Sequence, residues 1–279
     1  MRFQTAVMLA CFVMLGASSS EGAAVSAMAP PGGIYADAAL ATVVRGPQRS
    51  PENMARDRFR HPRESLSFWG LKPGMSVLEI WPSPGYWTEI LAPYAKATGG
   101  RYIAALSGAT RPLPAKFSDK SVYGTITNTV FNDSSGPLVA PGTVDFVLTA
   151  RNLHDWTGAP GMVEKSMADF YAALKPGGIL AVEQHRADPR PMVKDATDGY
   201  MSTAYVVQLA EKAGFKLEAQ SEINANPKDT KDHPFGVWTL PPTRRSAASG
   251  QPPNPAFDHS KYDAIGESDR MTLRFRKPG

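Results

Sequence analysis

Polar side chains that could do acid–base chemistry follow the most apolar predicted strand of the chain. Residues 144–150 (Val-Asp-Phe-Val-Leu-Thr-Ala) predict a buried strand, and Arg-Asn-Leu-His-Asp-Trp follows at 151–156. Polar groups in such a place are costly unless they are paired or face a cleft. A histidine can act as acid or base near neutral pH, and Asn or Asp can orient a nucleophile. We therefore predict a site at Asn152, His154 and Asp155. The alternative is a turn in which Asp155 caps a helix and His154 lies on the surface.

The segment after the predicted strand 76–80 could hold a charged small molecule. Glu79 stands at the end of this strand, residues 81–85 form a tight loop, and a helix is predicted over 86–94. The helix N-terminus offers free N–H groups, and the carboxylate can accept from an amine or a hydroxyl. Together they predict a nucleoside or small-molecule site. An ordinary strand–turn–helix connection with a buried, satisfied Glu79 fits the spacing equally well, because Gly85 is the loop's one glycine.

A third polar cluster, Glu183-Gln184-His185-Arg186, follows the predicted strand 179–183. Ligands of open α/β sheets bind beyond the carboxyl ends of the strands, near the point where the strand order reverses. We therefore predict that Glu183 and His185 share a pocket with residues 151–156, although exposed loop charges would look the same in sequence. The remaining histidines are scattered along the chain, so no metal site is predicted.

An alternation of strands and helices must position these three clusters. Strands are predicted at 76–80, 101–106, 123–130, 144–150, 179–183, 215–223 and 270–276, with helices at 62–69, 86–94, 161–174 and 203–213 between most of them. This pattern predicts an α/β fold with a mostly parallel sheet covered by helices on both faces. The last two strands lack a helix between them, which indicates an antiparallel terminal pair. We predict one domain over 50–279, with 224–269, rich in Pro, Ser, Lys and Asp, as a long surface loop.

The N-terminal residues follow the plan of a secretory signal peptide. Arg2 supplies a positive charge, a mostly apolar run covers 5–16, and small residues come next. We predict a signal peptide over 1–27, a flexible leader over 28–49 and a periplasmic or secreted location, with lipidation at Cys11 as the weaker alternative. The apolar run is shorter than the ~20 residues that a permanent membrane span needs.

Composition limits the classes of function further. Cys11 is the only cysteine, so a chain cleaved after Ala27 has no disulfide and no thiolate nucleophile. The net charge of +4 is spread along the sequence, and no basic run is interleaved with aromatic residues. A nucleic-acid partner is therefore not expected, and a small-molecule substrate is.

The sequence resembles a group of exported bacterial proteins described as predicted S-adenosylmethionine (SAM)-dependent methyltransferases. Four segments carry the likeness: Arg60-His61-Pro62 with Leu71-Lys72-Pro73-Gly74-Met75, Glu79 to Tyr94, Asp145 to Trp156 with its Arg-Asn-Leu-His-Asp-Trp, and Leu174-Lys175-Pro176-Gly177-Gly178 with Glu183 to Arg186. The motif at 151–156 is the most specific of them. The resemblance covers nearly all of the chain after the leader.

The resemblance implies the seven-stranded, Rossmann-like class I fold with SAM as methyl donor. It implies that the loop after Glu79 wraps the amino-acid part of SAM, with His154 as a base oriented by Asp155 and Asn152. The cofactor-binding residues would be Glu79, Trp81, Ser83, Gly85, Tyr86 and Arg151, and the substrate-binding residues Trp156, Glu183 and His185.

Two features keep alternatives open. Ser83 and Pro84 stand where the resembled family has glycines, and no acid follows the predicted strand 101–106. Proline removes an N–H donor and fixes φ, and serine adds bulk near a ligand. A non-catalytic periplasmic binding protein that retains the methyltransferase fold is therefore the second hypothesis. A nicotinamide oxidoreductase is disfavoured, because the first loop lacks Gly-x-Gly-x-x-Gly.

Overall fold

A computed structural model of the protein describes residues 37–108, 111–189 and 191–279. The predicted signal peptide and the first part of the predicted leader lie outside these residues. Within the described residues, no helix has both the length and the apolar character needed to cross a bilayer.

A seven-stranded sheet forms the centre of the fold. The strands of the described residues are β1 (Ser76–Ile80), β2 (Arg101–Leu106), β3 (Ile126–Val130), β4 (Val144–Ala150), β5 (Leu174–His185), β6 (Lys216–Ser221), β7 (Pro234–Val237) and β8 (Arg270–Arg276). All but β7 join the sheet, in the order β3-β2-β1-β4-β5-β8-β6. The strands from β3 to β5 are parallel, and β8 runs antiparallel to both β5 and β6. The predicted mostly parallel sheet with an antiparallel terminal hairpin is confirmed.

Helices cover both faces of this sheet. Those in the described residues are α1 (Ala38–Val44), α2 (Pro51–Met54), α3 (Asp57–Arg60), α4 (Pro62–Trp69), α5 (Thr88–Thr98), α6 (Lys120–Tyr123), α7 (Leu153–Trp156), α8 (Met162–Ala173), α9 (Thr203–Lys212) and α10 (Ser260–Ile265). The core divides accordingly, because successive side chains of a strand point to opposite faces. Val77 packs with α1, α4 and α5, whereas its neighbour Leu78 packs with α7, α8 and α9.

The leader prediction is wrong for part of its length, because residues 38–44 form helix α1. The side chain of Asp37 caps this helix by accepting from Leu40 N at 2.9 Å, and its carboxylate also accepts a hydrogen bond from Tyr94 Oη on α5. Leu40 and Val43 are buried in the core. The segment was predicted to be flexible because it is rich in alanine and glycine, but part of it forms a short amphipathic helix that packs on the domain.

The segment 224–269 is also more ordered than the predicted long surface loop. It contains β7 and α10, and its residue Asp229 is buried. The carboxylate of Asp229 accepts from Tyr200 Oη at 3.0 Å and lies 2.7 Å from His233 Nε2. These buried contacts attach the segment to the domain, and they place residues 237–243 over the cavity described next.

Candidate active site

A cavity of about 290 Å³ lies beyond the carboxyl ends of β1, β4 and β5. The sheet order reverses between β1 and β4, so the cavity occupies the position at which open α/β sheets bind their ligands. Nine of the predicted site residues line it: Glu79, Trp81, Ser83, Tyr86, Arg151, Asn152, His154, Asp155 and His185. The fold therefore brings all three polar clusters of the sequence to one place.

The loop between β1 and α5 holds three residues in the left-handed region of backbone conformation. Trp81 has φ +46°, Ser83 has φ +51° and Gly85 has φ +94°. Only glycine adopts this region without cost, and strained residues of other types concentrate at functional sites. A Cβ on Gly85 would lie 2.3 Å from Phe117 Cζ, so this glycine is required by packing and does not itself line the cavity.

Replacing Ser83 with glycine should stabilise the protein by about 0.5–1 kcal/mol. The left-handed conformation costs an L-residue about 1–2 kcal/mol, of which the greater freedom of an unfolded glycine offsets part. The Ser83 side chain is exposed, so its removal takes away little packing. Denaturant unfolding of Ser83→Gly measures the gain, and Ser83→Ala, which keeps the Cβ, is the matched control. Equal stability of the two variants would contradict this account of the loop.

Glu79 is buried at the floor of the loop, with 2% of its surface exposed. Its Oε2 accepts from Tyr102 Oη at 2.6 Å and from Thr88 Oγ1 at 3.1 Å. Burial raises the pKa of Glu79 from 4.5 to about 7, although both hydrogen bonds oppose the rise. A cationic ligand beside this carboxyl would lower its pKa and favour its ionised form, so Glu79 is suited to bind a positively charged group.

The contact between His154 and Gln184 indicates the tautomer of the imidazole. Gln184 Nε2 donates to Gly199 O at 3.2 Å and lies 3.0 Å from His154 Nδ1, which must therefore accept. His154 Nε2 lies 3.3 Å from Asp155 Oδ1, close enough for an ion pair but without a hydrogen bond. Nδ1 of His154 is thus occupied by Gln184, and the carboxylate of Asp155 beside Nε2 is 47% exposed. The roles of His154 as base and Asp155 as its orienting group stay predictions.

Two buried imidazoles lie side by side at the ends of β4 and β5. The ring centroids of His154 and His185 are 5.2 Å apart, and His185 Nδ1 is 2.5 Å from Ser268 Oγ. Burial lowers the pKa of His154 below 6.5, outweighing the opposite effect of Asp155. Burial and the neighbouring His154 lower the pKa of His185 further. Both rings are therefore neutral at pH 7.

Nuclear magnetic resonance of ¹⁵N-histidine-labelled protein should find His154 as the neutral Nε2–H tautomer at pH 7. We expect it to become protonated only below pH 6.5, since burial disfavours the charged ring. The exposed-histidine value of about 6.5 is the reference. Protonation of His154 above that value, or an Nδ1–H tautomer at pH 7, would contradict the hydrogen-bond assignment.

Four arginines line one side of the cavity, and two buried glutamates lie behind them. Arg270 lies between two buried carboxylates: its Nη1 is 3.0 Å from Glu183 Oε1, and its Nη2 donates to Glu267. Glu267 also accepts from Arg56 Nε at 2.6 Å and from Arg60 Nε at 2.8 Å. Burial would raise the pKa of Glu267, but the surrounding guanidinium groups lower it. We name Arg56, Arg60, Arg151 and Arg270 the arginine wall.

Sequence reasoning missed most of this wall. It predicted Arg151 from the resemblance, but it gave no site role to Arg56 or Arg60 and placed Arg270 at the start of a terminal strand. The available signal was the charge of the residues at the start of β8, Glu-Ser-Asp-Arg at 267–270. Trp238 was also missed, because it lies in the segment predicted as a loop, yet it lines the cavity 5.7 Å from the His154 ring.

Two predicted substrate contacts lie elsewhere. Trp156 is in the hydrophobic core, where its ring packs edge-on against Trp81 at 5.2 Å and Phe131 at 5.0 Å. An apolar side chain on a short helix that faces α8 is stabilised more by this burial than by exposure to a cleft. Glu183 is fully buried behind Arg270 and Arg151, which line the cavity in its place.

A second cavity, of about 310 Å³, adjoins the first across the β1–α5 loop. Trp81, Ser83, Asn152 and Asp155 line both cavities, and the end of β2, at Leu106 and Ser107, closes the second. Asn152 Nδ2 donates to Ile80 O at 2.7 Å and so ties the end of β4 to that of β1. The site therefore consists of two adjoining spaces that share one strained loop.

Comparisons with known proteins agree with this architecture. The chain is 26% identical, over 140 residues, to the ubiquinone/menaquinone biosynthesis C-methyltransferase UbiE of Hydrogenovibrio crunogenus. That match covers 50% of this chain and 53% of the relative, so it spans about half of each. No protein-family profile matches the chain.

Two solved structures share the fold. A SAM-dependent methyltransferase from Aquifex aeolicus superposes with a TM-score of 0.51 at 20% identity, over 63% of this chain and 88% of that one. The cyclase SpnF superposes with a TM-score of 0.54 at 14% identity, over 84% and 86%. The chain therefore has the Rossmann-like fold of class I methyltransferases. A cyclase on the same fold shows that activity must be argued from the site.

Proposed function

We propose that the protein is a SAM-dependent methyltransferase that acts on a small molecule. The observation that carries this proposal is the pair of adjoining cavities on either side of the strained loop 81–85, above the buried Glu79. Methyl transfer needs a donor and an acceptor in neighbouring, water-poor spaces with their reacting atoms in line. The partial identity to a C-methyltransferase supports the same reaction.

SAM would lie along the β1–α5 loop and supply an already activated methyl group on its sulfonium. The cavity at the end of β2 suits the nucleoside, and the cavity at the arginine wall suits the acceptor. Trp81 and Ser83 would contact the cofactor, and its ammonium group would lie towards Glu79. The end of β2 offers Ser107 in place of an acid, so a hydroxyl is the available partner there for the ribose.

The remaining work of the chain is to orient the acceptor and to receive its proton. Trp81 and Trp238 supply apolar surface on the two sides of the acceptor cavity. Asp155 lines both cavities, and its Oδ1 lies 3.3 Å from His154 Nε2. We assign proton acceptance to Asp155 and positioning to His154, whose burial keeps its ring neutral. General-base catalysis of this kind contributes about 10²–10⁴-fold.

Calorimetric titration of S-adenosylhomocysteine, the product form of the cofactor, tests the proposal. We expect binding with a micromolar dissociation constant to the protein lacking residues 1–27. ATP, which shares the adenosine but lacks the thioether and amino acid, is the matched control ligand and should bind far more weakly. If millimolar S-adenosylhomocysteine gives no heat of binding, the assignment as a SAM-dependent enzyme is contradicted.

The second candidate function is a non-catalytic binding protein on the same fold. Pro84 favours it, because the loop loses an N–H group at a position where the resembled family has a glycine. The titration separates the two functions, since this candidate has no need of the cofactor.

Export belongs to the proposal as well. Residues 1–27, which have the pattern of a signal peptide, would direct the chain to the periplasm or outside the cell. The intact mass of the protein recovered from the periplasm of an expressing bacterium measures this directly. A mass that begins at Met28 supports cleavage after Ala27, and full-length protein confined to the cytoplasm would contradict export.

A further inference from the structure

The arginine wall carries more positive charge than its protein partners neutralise. Four guanidinium groups face two buried carboxylates, Glu183 and Glu267. Elsewhere on the cavity surface, the acids are Asp155 and the half-protonated Glu79. SAM adds a sulfonium and an ammonium against a single carboxylate, so the loaded cofactor makes the site more cationic. A neutral acceptor would leave this excess in a partly dehydrated cavity, where unbalanced charge is costly.

Arg60 provides the second, independent observation. Its side chain is fully buried, its guanidinium lies 4.4 Å from the centre of the Tyr86 ring, and it lines the cavity. Only Nε has a hydrogen-bond partner among the described residues, whereas Nη1 and Nη2 have none there. Buried polar groups without partners are rare in native structures, so each calls for a ligand or another explanation. Paired guanidinium N–H groups match the two oxygens of a carboxylate or phosphate.

Arg151 extends the same surface from the other side. It has a left-handed backbone, with φ +62°, and its Nε lies 3.8 Å from Glu183 Oε1 without a hydrogen bond to any described residue. Its side chain is 23% exposed and lines the cavity. A strained backbone that presents an arginine to a cavity fits a ligand-binding role.

On the basis of the proposed function, we propose that the methyl acceptor is an oxyanion whose carboxylate or phosphate group binds to Arg60 and Arg151. The apolar body of the acceptor would lie against Trp81 and Trp238, in reach of Asp155. Guanidinium groups would then hold one end of the acceptor while the aromatic side chains place its reactive atom at the sulfonium. This assignment adds a substrate class to the reaction.

Benzoate and inorganic phosphate are the probes of this site. Each is titrated into protein saturated with S-adenosylhomocysteine and followed by protein-detected nuclear magnetic resonance. We expect at least one of them to bind with a millimolar dissociation constant, and binding to weaken by about tenfold or more in Arg60→Met and in Arg151→Met. Arg276→Met is the matched control, since Arg276 pairs with Glu218 at the opposite end of β8 and should change nothing. Failure of both anions to bind, or equal binding by all variants, would overturn the proposal.

A second arm distinguishes the acceptor from the carboxylate of the cofactor itself. If the wall holds the acceptor, Arg60→Met should keep the wild-type affinity for S-adenosylhomocysteine within about threefold. If the wall instead holds the carboxylate of the cofactor, Arg60→Met should lose affinity for S-adenosylhomocysteine. Its affinity for 5′-methylthioadenosine, which lacks the amino acid, should then stay unchanged. That result would contradict the proposal. Arg56 and Arg270 still pair with Glu267 in this variant, and partly exposed Arg151 gives an independent variant. Should the wild type not bind S-adenosylhomocysteine, the proposed function fails, and the same anion titrations of cofactor-free protein still test the wall.

Discussion

Replacing Arg270 with methionine should destabilise the protein by about 3–5 kcal/mol. Arg270 is buried between Glu183 and Glu267, and burial lowers its pKa less than these two carboxylates raise it. Its loss leaves Glu183 with a single cation, Arg151 Nε at 3.8 Å. A buried carboxylate without a close partner bears nearly its full desolvation cost.

Denaturant unfolding at pH 7 measures this effect, with Arg276→Met as the control on the same strand. Arg276 forms a partly exposed pair with Glu218 and should cost about 1 kcal/mol or less. The double variant Arg270→Met with Glu183→Gln should recover part of the loss, because it removes the stranded charge. Equal effects of the two single variants would show that the arginine wall contributes no more than a surface ion pair.

Replacing Glu79 with glutamine should make the protein more stable and weaken its cofactor binding. A carboxyl whose pKa rises on folding from 4.5 to about 7 disfavours the folded state once it is ionised. This penalty is absent below pH 4.5, grows between pH 4.5 and 7, and is complete above pH 7. At about 1.4 kcal/mol for each unit of pKa, its full size is about 3 kcal/mol. Glutamine keeps an acceptor for Tyr102 and Thr88 but cannot ionise.

Unfolding curves at pH 4 and pH 8 test the stability half of this prediction. The gain of Glu79→Gln over the wild type should approach 3 kcal/mol at pH 8 and vanish at pH 4. Calorimetry tests the other half: affinity for S-adenosylhomocysteine should fall by about tenfold or more, because a charged partner of the ammonium is lost. A variant that is less stable at pH 8, or that binds as tightly as the wild type, would contradict a ligand role for this buried acid.

Most of the sheet could be predicted from sequence because its central strands are apolar runs. The helices between them differ in the spacing of their apolar residues. Val144–Ala150 is the clearest case. The terminal pair β6–β8 is antiparallel as predicted, but the reason given for it was wrong, because helix α10 lies between these strands. Short elements with ambiguous composition were the failures. Helix α1 is stabilised by the cap at Asp37 and by packing on α5, and neither contact is visible in a run of alanines.

The site was predictable where its residues follow a strand and hidden where they come from distant segments. His185 ends β5, and His154 follows the end of the neighbouring parallel strand β4 by four residues, so the sheet topology brings them close together. Arg60 and Arg270 lie about two hundred positions apart in sequence and meet through Glu267. No local sequence pattern predicts that Arg60 and Arg270 contact the same carboxylate. The tautomer of His154 likewise depends on Gly199, a backbone carbonyl that no motif includes.

The crystal structure of the protein with S-adenosylhomocysteine is the most direct test of the central claim that these cavities bind SAM and its acceptor. The account predicts the nucleoside beside Leu106 and Ser107, the thioether sulfur at the loop 81–85, and open space in front of Arg60 and Arg151. Crystals that remain free of the ligand at saturating concentration, or a ligand bound away from this loop, would contradict it.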